Sequence, residues 1–89
     1  MVIKTKASAG TMESSDAYVE IEPWDKGLDI EIESVVLKQF GKKIKLAVSD
    51  VLREQGVENA FVRVMDRGAL ECVIRARVET AVVRGKGEE

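Results

Sequence analysis

Leu28-Asp29-Ile30-Glu31-Ile32-Glu33 alternates apolar and acidic side chains without a break. That is the period of a strand with one face against a core and the other in water. Tyr18-Val19-Glu20-Ile21-Glu22 follows the same rule, with Val19 and Ile21 on one face. Between them, Pro23-Trp24-Asp25-Lys26-Gly27 reads as a hairpin loop, which predicts that the two strands are antiparallel neighbours. Upstream, residues 2–12 form a weaker strand candidate. There Gly10 and the small Ala7, Ser8 and Ala9 mark a bulge or a close backbone approach.

The period then lengthens. Val36, Phe40, Ile44, Ala47, Val48, Val51 and Leu52 recur at helical spacing and predict a helix over 34–55. Ser34 is its expected N-cap and Gly56 its C-terminal cap, while Gly41 weakens it by ~1 kcal/mol relative to alanine. Ala60-Phe61-Val62-Arg63-Val64-Met65 reads as a strand closed by the turn Asp66-Arg67-Gly68. Leu70, Val73, Ile74, Val78, Ala81 and Val82 form the stripe of a second helix over 69–84. The order βββαβα predicts an α+β domain of two layers, with two helices packed on one face of a mixed or mainly antiparallel sheet. It places the loop 13–16 at an exposed sheet end.

Size limits what such a domain can do. A chain of 89 residues is one domain that buries roughly 60–65% of its unfolded surface, leaving little room for an enclosed substrate cavity. The domain is expected over 1–84, with 85–89 as a disordered tail. A carrier, a binding module or a subunit fits this size better than a self-sufficient enzyme, and no metal-ligating set is expected. The net charge of −2 has the wrong sign for nucleic-acid binding. Its distribution is uneven. Glu13, Asp16, Glu20, Glu22, Asp25, Asp29, Glu31 and Glu33 face only Lys26, and the basic Lys38, Lys42, Lys43 and Lys45 follow. The acids read first as the solvated side of a sheet; an acidic face would also speed encounter with a basic partner. The lysines read as a solvated helix face, with docking to an acidic subunit as the other option. A single cysteine suits a reducing compartment. With no signal-like apolar run and no span of transmembrane length, a soluble cytoplasmic protein is expected, with no membrane association.

Chemistry concentrates in Gly10-Thr11-Met12-Glu13-Ser14-Ser15-Asp16. The sequence has no histidine, the usual base for a serine nucleophile. A serine here is therefore better suited to having a group attached than to attacking a substrate. From spacing alone, Ser-Ser-Asp reads first as a polar turn.

Three blocks resemble the acyl carrier (gamma) subunit family of citrate lyase. They are Ala9-Gly10-Thr11-Met12-Glu13-Ser14-Ser15-Asp16, Glu33-Ser34-Val35-Val36-Leu37-Lys38-Gln39-Phe40-Gly41 and Asp66-Arg67-Gly68-Ala69-Leu70-Glu71-Cys72-Val73-Ile74-Arg75-Ala76-Arg77-Val78-Glu79. The last is long and specific. The resemblance implies a non-catalytic carrier. Ser14 would hold, through a phosphodiester, a covalently attached 2'-(5''-phosphoribosyl)-3'-dephospho-CoA ending in a thiol. Ser15 takes the next position, where glycine or another small residue is common in relatives. The implied partners are the citrate lyase alpha subunit, which exchanges acetyl for citrate on the thiol, the beta subunit, which cleaves the citryl thioester to oxaloacetate, and the prosthetic-group transferase. Glu13 and Asp16 would be part of the surface these partners see. The Asp-Ser-Leu motif of ordinary helical acyl carrier proteins is absent. The carrier of malonate decarboxylase is the nearest alternative, against which the 66–77 block argues; a cofactor-free interaction module is the other.

The remaining candidates have two readings each. Cys72 is expected to be a small buried apolar residue. Arg75 and Arg77 either bind a partner or the prosthetic phosphates, or pair with Glu71 or Glu79. Trp24 is a lid on the core or, failing that, an interface anchor.

Overall fold

The computed structural model describes residues 2–35 and 37–87. Six elements follow in the expected α+β order: β1 (Ala7–Gly10), β2 (Ala17–Glu22), β3 (Leu28–Ser34), α1 (Leu37–Glu54), β4 (Ala60–Asp66) and α2 (Glu71–Gly85). Val36, counted in the first helical stripe, and Glu88 and Glu89 of the expected tail lie outside the described residues.

The sheet is mixed, in the order β1-β2-β4-β3. β2 runs antiparallel to β1 and to β4, and β4 runs parallel to β3. The expected hairpin between β2 and β3 is therefore corrected: the last strand lies between them. Burial explains the choice. Ala60, Val62, Val64 and Asp66 of β4 are all buried, as are Ala17, Val19 and Ile21 of β2, so these two strands fill the centre. Each fully buried Val or Ile contributes about 1.5–3 kcal/mol, far more than a surface ion pair at about 0–1 kcal/mol. β3 buries Leu28, Ile30 and Ile32 only in part and exposes Asp29, Glu31 and Glu33, the make-up of an edge strand protected by charge. The parallel step from β3 to β4 needs a crossover, which α1 supplies.

Both helices cover one face of the sheet, α1 against β3 and α2 against β1 and β2. In α1, Ile44, Ala47, Val48, Val51 and Leu52 are buried as the spacing predicts, but Phe40 stays 45% exposed. Gly56 ends the helix as expected. At φ +74 its N–H donates to Arg53 O, and the Val57 N–H donates to Leu52 O, the paired bonds of a Schellman cap. Ser34 does not act as the N-cap. It is the last residue of β3, and its hydroxyl donates to Asp66 Oδ2 at 2.7 Å. A buried carboxylate needs such donors, and α1 begins three residues later.

In α2 the buried residues are Ile74, Val78, Ala81, Val82 and Gly85, while Leu70 caps the helix at 71% exposure. Gly85, placed in the tail by the sequence, closes the helix instead. A Cβ there would approach Ile21 Cγ2 to 3.1 Å, and its carbonyl accepts from the Lys4 and Thr5 N–H groups.

The pairing registers bring Gly10, Ala17, Asp66 and Ser34 to one end of the sheet. Both helices start at that end, so the loop 11–16 and the turn 66–68 meet there.

Candidate functional site

The loop 11–16 is clamped at both ends by its own sequence. Gly10 has φ +95, and a Cβ at that position would collide with the Ala17 carbonyl; this is the close backbone approach expected from the small residues. At the other end Asp16 gathers four donors. Thr11 Oγ1 donates to Oδ2 at 2.7 Å, and the Ala17 N–H donates to Oδ1 at 2.7 Å. Arg77 closes a two-pronged pair, Nε to Oδ1 and Nη2 to Oδ2, each at 3.0 Å. Planar two-point pairing of this kind gives direction as well as energy.

These bonds pull the Asp16 carboxyl down to about 2, the Thr11 hydroxyl first, then the Arg77 hydrogen bonds and the Ala17 N–H, with partial burial opposing them. A carboxyl depressed on folding contributes stability that is present above its unfolded value, near 3.9, and is lost as pH falls through the folded value. We expect the loop to hold its shape at pH 5 and to loosen between about pH 4 and 2. A carbon-13 titration of the Asp16 carboxyl checks this; a midpoint near 4 would contradict the clamp.

The turn after β4 supports the loop from beside it. The Arg67 N–H donates to Asp16 O and the Ser15 N–H donates to Arg67 O, both at 2.9 Å. Arg67 Nε reaches Met12 O at 3.3 Å. The turn itself is held by Asp66, whose Oδ1 accepts from the Gly68 N–H at 3.2 Å and the Ala69 N–H at 2.8 Å. Gly68 sits at φ +93, which an L side chain rarely adopts. Asp66 and Gly68 thus have a structural reason to stand in that block.

Within this frame Ser14 is exposed, and its hydroxyl has no hydrogen-bond partner among the described residues. Ser15 differs in backbone: its φ of +68 is the left-handed region, strained for a residue with a Cβ. Thr11, the third hydroxyl of the loop, is committed to Asp16.

A family model described as ACP, malonate decarboxylase delta subunit (MdcD), matches residues 4–85. The citrate lyase acyl carrier protein of Pectobacterium atrosepticum is 51% identical over 84 residues, covering 94% of this chain and 88% of that one. Its counterpart from Halothermothrix orenii is 47% identical over 90 aligned positions, covering 100% and 96%. The chain belongs to the citrate lyase acyl carrier protein family. A chain in the crystal structure of a Pseudomonas malonate decarboxylase hetero-tetramer in complex with malonate shares the fold of this family member. Its TM-score is 0.81 at 22% identity, over 94% of this chain and 87% of that one.

The other residues singled out in this acyl carrier family member lie away from the loop or are engaged. Cys72 is exposed, which corrects the expectation of burial. It lies about 200° around the helix from the buried Ile74 at 100° per residue, so its side chain faces water. Arg75 pairs with Glu54 of α1 at 3.1 Å, and Arg77 with Asp16; neither pairs with Glu71 or Glu79 as the sequence suggested. Trp24 sits at the opposite end of the sheet. It stacks on Phe61 of β4 with centroids 5.4 Å apart, covering the open sheet face rather than the core. On that face Arg63 lies 3.5 Å from both Glu20 and Glu31. Lys38, Lys42, Lys43 and Lys45 are all exposed. Arg67 was not singled out from the sequence. Its place beside the loop follows only once β2 is known to pair with β4.

Among the described residues no group of three or more His, Cys, Asp or Glu could hold a metal ion. No helix there is long and apolar enough to cross a membrane.

Proposed function

We propose that this chain is the acyl carrier subunit of a cytoplasmic citrate lyase, with a phosphoribosyl dephospho-CoA group joined to Ser14 through a phosphodiester. The observation that carries this reading is the unpartnered Ser14 hydroxyl, held in water on a loop whose Thr11 and Asp16 side chains are spent on its own shape. The donor set fits the group: a phosphodiester needs an alcohol oxygen, and of the three in the loop only Ser14 is both uncommitted and on unstrained backbone. When bound, the group supplies a thiol whose thioester activates an acyl carbonyl and its alpha carbon.

The chain's own residues hold and aim. Arg77 and Thr11 keep Asp16 ionised and the loop rigid, so the attachment point is fixed relative to the sheet. Arg67, with its remaining guanidinium N–H groups facing water beside the loop, can meet a phosphate oxygen there. No imidazole is available in the sequence to act as a base, so the reacting steps belong to the partner alpha and beta subunits. The domain's part is tethering, which raises the local acyl concentration to the millimolar range.

The description of the matching family model supports malonate decarboxylase as a second reading. The 66–77 block and relatives at 47–51% identity favour citrate lyase. Intact mass after co-expression with the citrate lyase prosthetic-group synthase and transferase decides the first point. We expect the loaded mass, and citrate cleavage once the alpha and beta subunits are added. An unmodified mass in the presence of both enzymes would sink the carrier reading, and turnover of malonate with malonate decarboxylase partners alone would favour the second.

A further inference from the structure

Between α1, the turn after β4 and the start of α2, at the end of the sheet that bears the loop, lies an open cleft of about 320 Å³. Phe40, Ile44 and Ala47 of α1 form one wall, Ala69, Leu70 and Ile74 the other, and Asp66 lies at the base. Phe40 and Leu70 stand at 45% and 71% exposure, and they face each other across one cleft, where grouped apolar surface marks a binding site more than isolated residues do. Resting on the carrier reading above, we propose that this cleft is a resting berth for the acylated, pantetheine-like end of the arm carried by Ser14.

Three observations commit the cleft to that occupant. The first is the place of attachment. The Ser15 N–H donates to Arg67 O at 2.9 Å, and the residues on either side of Arg67, Asp66 and Gly68, both line the cleft. Three residues of chain span at most about 11 Å, far less than an extended phosphoribosyl dephospho-CoA arm, so the arm folds back into the cleft without strain on the loop. Gly68 leaves that route clear, since a Cβ built there would meet nothing within 4 Å.

The second is chemistry. A pantetheine chain has apolar stretches interrupted by two amides, each offering one N–H and one C=O, and carries one hydroxyl. The cleft is mainly apolar, with two acceptors and one donor in its lining: the Asp66 carboxylate, holding three donors of about four it can accept, the Glu71 carboxylate, and Lys43, whose ammonium donates. The third is size. The volume of about 320 Å³ lies at the lower end of small-molecule sites, roughly 300–1,000 Å³.

A weak site is sufficient. Against a millimolar effective concentration, a berth with a dissociation constant of about 1 mM is filled about half of the time. It would slow attack on the thioester by outside nucleophiles until a partner draws the arm out.

The test uses the full chain loaded on Ser14, as the thiol and as the acetyl thioester, followed by amide NMR and by the rate of reaction with hydroxylamine. We expect acetylation to shift amides of 40–47 and 69–74 as well as those of 11–16. Leu70→Asp should abolish the helix shifts, keep the loop shifts and raise the hydroxylamine rate about twofold or more. Phe40→Ser on the opposite wall should do the same, which guards against a local effect at the start of α2. Shifts confined to 11–16 with equal rates in all three proteins, on a chain whose mass shows it loaded, overturn the berth and leave the carrier reading standing. Helix shifts that arise only when a partner subunit is added also overturn it and make the cleft a docking groove. Failure to load Ser14 at all overturns the carrier reading itself.

Discussion

Replacing Ser14 by alanine should abolish loading completely while leaving the fold unchanged. The hydroxyl makes no hydrogen bond among the described residues and the side chain is exposed, so its loss falls in the range of ordinary surface substitutions, about ±0.5 kcal/mol. On the proposed reading neither of the loop's other hydroxyls replaces it. Thr11 is held by Asp16 at 2.7 Å, and Ser15 points from a left-handed residue at φ +68. The matching control is Ser15→Gly, which relieves a strain of about 1–2 kcal/mol and should load at the wild-type level. Intact mass after co-expression with the maturation enzymes reads both outcomes, and circular dichroism confirms the fold. A loaded Ser14→Ala protein together with an unloaded Ser15→Gly protein would move the attachment to Ser15.

The second large effect is on stability. Gly10→Ala places a Cβ against the Ala17 carbonyl and within 3.1 Å of Arg77 Cδ, at a backbone φ of +95. Left-handed backbone costs about 1–2 kcal/mol and overpacking about 1–3 kcal/mol, so a loss of about 3 kcal/mol is expected. For a domain of this size that lowers Tm by roughly 12–24 °C. The displaced Arg77 should also release its grip on Asp16, returning that carboxyl toward 3.9. Thermal unfolding and the carboxyl titration measure the two effects. A Tm change below about 4 °C with the Asp16 midpoint unmoved would contradict the packing at this hinge of the loop.

The elements themselves were legible because their periods are clean. Leu28 to Glu33 alternates without error, the α1 stripe is long, and Gly56 and Gly68 fall where left-handed backbone is needed. What sequence could not supply was which strand lies beside which. β2 and β3 are joined by five residues and alternate alike, so a hairpin was the local reading. The decision rests on where the buried face of β4 finds two neighbours, a contact between residues about 30 to 50 positions apart. Cys72 is another matter, since its angle from Ile74 on the helix already placed it outside; its apolar flanks drew it inward on paper. Ser34 looked like a cap because serine caps helices, whereas a buried Asp66, invisible until the fold is known, takes its hydroxyl. At the site, resemblance pointed to Ser14; the clamp of Asp16 by Arg77 and Thr11, which shapes the loop around it, was not contained in the spacing. Arg67 became visible only through the β2–β4 pairing.

The position of β4 has a consequence for how the chain folds. Until residue 66 has been made, β2 and β3 have no common neighbour, and α1 has only the edge of a sheet to rest on. The central contacts join residues separated by about 30 to 50 positions, such as Val19 with Val64 and Ile32 with Val64. Such separations slow folding relative to helical bundles of equal length and leave no stable half-domain to accumulate. Acquisition of structure should therefore be a single late event. Any partner that recognises the loop 11–16 would then meet it either formed in full or not at all.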